Sequence, residues 1–282
     1  MLKLLRSGIH RYLKSTLFFI CFAAAVIIGF ASGIDTRDER TFNNVYTVFS
    51  FMVYAVLISL TAGCEFSMGG FRNKLIAGYT KTQLFFSEYI LALLSCMVLM
   101  LTSAIIFCLF NLQSFARFLL SFLIWSVPGV ILFTVCMITF VLALSLCITK
   151  RAVAVVISLV FIFISFYLAD EISLHLKFPE YTRKIWVEYG EAPIIQEKFE
   201  KNPAYINSPK REIYTALVNI FPIGQSIQYT ELSDPIFSKQ NTILYISAEA
   251  KEKLFILPMY SIGTSAFLLT GAYVIFKKKD FK

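Results

Sequence analysis

The sequence predicts an all-α membrane protein: six transmembrane helices, an N-terminal interfacial amphipathic helix, and a small extracellular domain of α structure with some β between helices 5 and 6. Three observations predict it. Of 282 residues, 57% are hydrophobic and only 16% charged, with a mean hydropathy of +0.70, too apolar for an ordinary soluble domain. Runs such as 16–33 and 45–63 are apolar on every face over a bilayer's thickness, where a soluble helix would show a stripe. The basic residues behind the net charge of +8 flank these runs, whereas nucleic-acid binding needs them gathered on a soluble face with interleaved aromatics. Nucleic acid is therefore not an expected partner.

Along the chain, residues 1–15 place Leu2, Leu5, Ile9, Tyr12 and Leu13 on one helical face and Lys3, Arg6, His10 and Lys14 beside it, the pattern of a basic helix lying among lipid headgroups. Apolar segments of bilayer length follow near 16–34, 45–64, 83–110, 119–147, 153–169 and 254–276. Gly29 and Gly33 form a small-xxx-small step in the first span, a candidate helix-packing or dimer contact. Pro128-Gly129 predicts a kink in the fourth span.

Orientation follows from the loops. Lys3, Arg6, Arg11, Lys14, Arg72, Lys74, Lys81, Lys150, Arg151, Lys277, Lys278, Lys279 and Lys282 lie on one set of loops and termini, against the acids Glu65 and Asp280; the alternate loops 35–44 and 111–118 carry three basic and three acidic residues. Both termini are expected in the cytoplasm. The organisation is then an amphipathic helix at 1–15, spans one to five in 16–169 with a cytoplasmic loop at 65–82, an extracellular segment at 170–253, a last span at 254–276 and a basic tail at 277–282. The extracellular segment carries six prolines and no cysteine. Helices are expected near 171–189 and 210–220 and a strand near 242–247. Its first part is acidic, through Asp170, Glu171, Glu180, Glu188, Glu191, Glu197 and Glu200.

Loop 65–82 is the most informative stretch. A turn at Gly69-Gly70, positions that glycine frees for left-handed backbone, leads into a short helix expected to show Phe71, Leu75 and Ile76 on one side and Arg72, Asn73 and Lys74 elsewhere, closed by Gly78. The series Glu65-Phe66-Ser67, a glycine turn, Arg72-Asn73-Lys74-Leu75, Gly78 and Thr80-Lys81-Thr82 resembles the coupling segment of type-2 ATP-binding-cassette (ABC) permeases. The ending Phe276-Lys277-Lys278-Lys279-Asp280-Phe281 is similar to the close of many members, and Pro222-Ile223-Gly224-Gln225 resembles members of the peptide-antibiotic export and immunity branch. Gly70 and Glu88 depart from the pattern: many members carry a polar or β-branched residue at the first position and a basic one at the second. Glu88 is expected to snorkel to the interface.

The resemblance implies that Glu65, Phe66, Ser67, Gly69, Arg72, Asn73, Lys74, Leu75 and Gly78 dock on a cytoplasmic ABC ATPase dimer. It also implies a second permease copy or a related permease, surrounding membrane lipid, an amphiphilic or peptide substrate such as an antimicrobial peptide, and a bacterial plasma membrane. Because no phosphate-loop pattern G-x-x-x-x-G-K-[ST] occurs, ATP and Mg are expected on the partner ATPase, with no cofactor bound directly. No serine-nucleophile elbow or metalloprotease pattern occurs either, and the six cysteines and two histidines lack metal-ligand spacing. No catalytic or metal site is expected. Sodium or drug export, or a non-transporting receptor or immunity protein that binds a ligand through 170–253, are the alternative readings.

Overall fold

The computed structural model describes residues 1–35, 44–110, 120–148, 150–188, 194–237 and 248–280. Six helices are long and apolar enough to cross a bilayer, so the chain has the architecture of a helical multi-pass membrane protein. In chain order they are α2 (Thr16–Asp35), α3 (Asn44–Ser67), α5 (Lys81–Phe110), α6 (Leu120–Cys147), α7 (Arg151–Lys177) and α10 (Ala248–Lys278). Around them lie α1 (Leu2–Leu13), α4 (Gly70–Ile76), α8 (Lys210–Ile220), α9 (Pro222–Phe237) and an antiparallel hairpin, β1 (Tyr181–Glu188) and β2 (Ile194–Lys201). Helix α1 and the end of α10 reach the α4 end of the bundle; the hairpin, α8 and α9 follow from the other end of α7.

Lipid offers helices no hydrophobic reason to associate, so close approach and buried hydroxyls do that work. Ser59 of α3 meets Ser145 of α6 at 2.9 Å and Ser158 of α7 at 3.4 Å, all fully buried. Tyr89 of α5 meets Thr139 of α6 at 3.1 Å. Gly29 and Gly33 both face α5 of the same chain: a Cβ at Gly29 would stand 2.7 Å from the Ser103 carbonyl oxygen, and one at Gly33 would stand 2.8 Å from Phe110 Cβ. The helix-packing role falls within one chain. Helix α6 runs through Pro128, and at Gly129 the missing side chain leaves the space that the Tyr229 ring of α9 occupies.

Helix α1 turns Leu4, Gly8 and Tyr12 inward. Of the apolar face expected from sequence, Leu2, Ile9 and Leu13 stay exposed. Gly8 brings the helix close enough for Leu91 of α5 to fill the space beside it, and Tyr12 donates to Thr61 of α3 at 2.8 Å. The packed stripe and the exposed apolar stripe are thus different edges of one helix.

Three boundaries differ from expectation. The fifth span continues as helix to Lys177, past 169. The helix expected over 171–189 ends there because Pro179 has no N–H to continue the ladder and forces Phe178 to extended backbone, φ −66° and ψ 124°. The following Tyr181–Glu188, rich in β-branched and aromatic residues, pairs with Ile194–Lys201 from Tyr181↔Lys201 to Glu188↔Ile194. The helix near 210–220 is present as α8, and the unanticipated α9 follows it directly; the strand near 242–247 lies outside the described residues.

The Pro-Ile-Gly-Gln stretch makes the corner between α8 and α9. Pro222 starts α9, where a missing N–H costs nothing. Gly224 lets α9 touch the Val218 backbone. Gln225, fully buried, donates to the Asn219 carbonyl at 2.6 Å and accepts from Ser261 of α10. One amide thereby joins three helices.

Candidate functional site

Two glycines with positive φ frame α4. Gly69, at φ 66°, is its N-cap, and its carbonyl accepts from Asn73 N–H at 2.9 Å. Gly78, at φ 88°, closes the other end: its N–H bonds the Leu75 carbonyl at 3.0 Å and the Tyr79 N–H bonds that of Lys74 at 3.1 Å, a Schellman closure. The seven-residue helix between them is too short to persist alone. Its neighbours must hold it.

Four charges do so. Lys74 Nζ lies 2.7 Å from Glu65 Oε2 at the end of α3 and 3.2 Å from Glu88 Oε1 on α5. Arg11 of α1 pairs with Glu65 and approaches Glu88 at 3.8 Å. Glu65 and Glu88 are only 4% and 2% exposed, so the cluster is neutral in sum and its carboxylates are shut from water. Burial pulls the Lys74 ammonium below the ordinary lysine range; the charge of Glu88 and its hydrogen bond oppose that pull, and the Arg11 guanidinium adds to it. Glu88 lies two helical turns, roughly 10 Å, beyond Lys81 along α5, and it does not snorkel. Lys74 and Arg11 meet its carboxylate there. Gly70 provides room for this arrangement: a Cβ there would strike the Glu65 carboxylate.

Aromatic rings form the floor beneath α4. Phe71, 1% exposed, packs edge-on against Phe66 and Phe276 with centroids 4.8 and 5.5 Å apart, and Phe276 continues to Phe85 at 5.6 Å. The basic tail closes the ring from the far end of the chain. Lys279 Nζ sits 4.2 Å from the Phe66 ring centroid and donates to the Leu146 and Cys147 carbonyls at 2.8 and 3.1 Å, satisfying the open end of α6. Lys81 does the same for the end of α10, donating to the Lys277 and Lys279 carbonyls at 3.0 and 2.7 Å. Helices α1, α3, α4, α5, α6 and α10 thus meet in one knot.

The residues singled out from sequence divide into two sets. Glu65, Phe66, Lys74 and Leu75 turn inward, whereas Ser67, Arg72, Asn73 and Gly78 are exposed and Gly69 forms the turn. Ile76 does not share the Phe71–Leu75 face: five residues is about 140° of helix, and it is 75% exposed, as Met68 is 74%. The outer surface of the loop is therefore Met68, Arg72, Asn73 and Ile76, two apolar side chains with polar ones between. Helical period alone would have separated Ile76 from Phe71. The roles of Arg11, Glu88, Phe276 and Lys279 depend on contacts between distant segments, for which the sequence has no local signal.

No family model, curated protein or solved structure matches the chain.

Proposed function

We propose that this chain is the membrane-spanning permease subunit of an ATP-driven exporter, docked through α4 to a separate cytoplasmic ATPase dimer and paired with a second permease. One observation carries the reading: Arg11 and Lys74 clamp the α4 loop to the buried carboxylates of Glu65 and Glu88 while the outer surface of the loop offers Met68, Arg72, Asn73 and Ile76. A protein that only sat in lipid would have little use for a short helix tied rigidly inward and left apolar outward. The excess of Lys and Arg at this end supports a cytoplasmic side here, with the hairpin, α8 and α9 outside in this reading.

In this mechanism the ATPase binds and hydrolyses ATP with its Mg, and this chain performs no chemistry. Closure of the ATPases moves α4. The clamp passes the displacement to α1, α3 and α5, and Phe276 passes it to α10. Switching a gate from 1:99 to 99:1 requires about 5.5 kcal/mol of differential binding. Lys74 and Arg11 each reach both carboxylates, so the clamp has several contacts through which to carry that load. The cargo proposed is a peptide or lipid-like amphiphile, as the resemblance to the peptide-antibiotic branch implies.

The test is an Ile76→Asp, Met68→Asp double variant, which alters only exposed positions. The purified wild-type chain is expected to carry an ATPase subunit with it and the variant to lose it, with the same thermal stability. An ATPase that stays bound and coupled to the variant overturns the proposal.

A further inference from the structure

At the end of the bundle opposite α4, a cavity of about 260 Å³ lies between the last turns of α7, the inner face of α8, α9 and the start of α10. Its lining carries three cations, Lys177, Arg211 and Lys253, against one carboxylate, Glu231. Lys177 pairs with Glu231 at 2.9 Å. Arg211 is fixed on two sides: Nη2 donates to the Leu176 carbonyl at 2.8 Å, and the guanidinium lies 5.0 Å from the Tyr205 ring centroid. Its Nη1 is buried with no hydrogen-bond partner among the described residues, and so is the hydroxyl of Ser173, a residue 6% exposed. Both line the cavity. Buried donors are seldom left without an acceptor, and a fixed guanidinium beside a hydroxyl matches phosphate oxygens.

Position and shape narrow the ligand. Ser173 lies about 33 Å of helical rise from Arg151, the first residue of α7, against a hydrocarbon thickness of about 30 Å. The cavity therefore stands at headgroup depth. Its volume is below the roughly 300 Å³ at which pockets for drug-sized molecules begin, so it admits a headgroup and not a whole amphiphile. Beside the Ser173–Lys177 edge of the cavity, Leu174 of α7 and the following Phe178 are exposed, whereas the exposed Ile213, Leu217 and Ile220 lie on the side of α8 turned away from Arg211 and Thr215. Apolar side chains next to a cationic pocket suit acyl chains in the interface.

We infer that this cavity binds the phosphate of an anionic phospholipid, with Arg211 and Ser173 as its donors and Leu174 and Phe178 against the tails. The inference does not depend on the exporter reading, and binding is measured without any ATPase. Full-length protein in detergent is titrated with phosphatidylglycerol, with diacylglycerol and with inorganic phosphate, and adducts are counted by native mass spectrometry. Phosphatidylglycerol is expected to bind in one copy that Arg211→Gln and Ser173→Ala each weaken, Arg211→Gln by tenfold or more, while diacylglycerol does not compete for it. Ser173→Ala leaves the Leu176 carbonyl contact intact, so its loss of lipid is not a folding defect. Equal lipid binding by wild type and Ser173→Ala, competition by diacylglycerol, or inorganic phosphate binding as tightly as the lipid would each overturn it.

Discussion

Removing Lys74 tests the clamp most directly. In Lys74→Met the two carboxylates lose their donors at 2.7 and 3.2 Å, and one half-exposed guanidinium is left to serve both. Stranding one member of a buried pair costs about 3–5 kcal/mol. The loss expected for Lys74→Met is of that order. The loss falls on the seat of α4, a short helix with no stability of its own, so α4 is expected to open locally while the spans stay folded. Hydrogen exchange in lipid nanodiscs should show the amides of residues 71–79 exchanging about 100-fold faster, with those of α3 and α6 unchanged. Adding Glu88→Gln leaves Arg11 opposite Glu65 and restores neutrality, so the double variant should recover most of the protection. If it opens as freely as Lys74→Met, charge balance is not what seats α4.

Other substitutions separate the remaining contributions. Gly70→Ala drives a methyl into the Glu65 carboxylate and should loosen α4 as Lys74→Met does, whereas Gly69→Ala meets no neighbour and should cost only the left-handed backbone, about 1–2 kcal/mol, both read by the same exchange experiment. Phe71→Ala empties a closed aromatic site and should cost about 3–5 kcal/mol, lowering the midpoint of thermal unfolding in detergent. Gln225→Leu strips the Asn219 carbonyl of its side-chain donor, at about 1–3 kcal/mol, and leaves the Ser261 hydroxyl only the Leu257 carbonyl at 3.4 Å; unfolding should begin in α8 and α9, which exchange would localise.

The six spans were legible because each is a continuous apolar run, a signal that survives without knowing any partner. Loop 65–82 was legible in outline for a related reason: Gly69 and Gly78 announce the turns whatever surrounds them. What faced inward was less so. Ile76 looked like part of the Phe71 side until helical rotation separated it, and Glu88 read as a snorkelling acid because its partners lie fourteen residues away in α4 and on α1. Continuation of the fifth span to Lys177 shows the limit of hydropathy: charge marks where lipid ends, and only Pro179 marks where the helix does. Helix α9 was missed because its buried face includes Gln225, Ser226 and Thr230, polar residues satisfied by neighbours that composition cannot reveal.

Phe276, six residues from the end of the sequence, lies between Phe71 and Phe85, and Lys279 caps α6. Two segments about two hundred residues apart thus build one seat: during synthesis α4 emerges long before α10, and it has no complete aromatic floor until α10 has entered the bilayer.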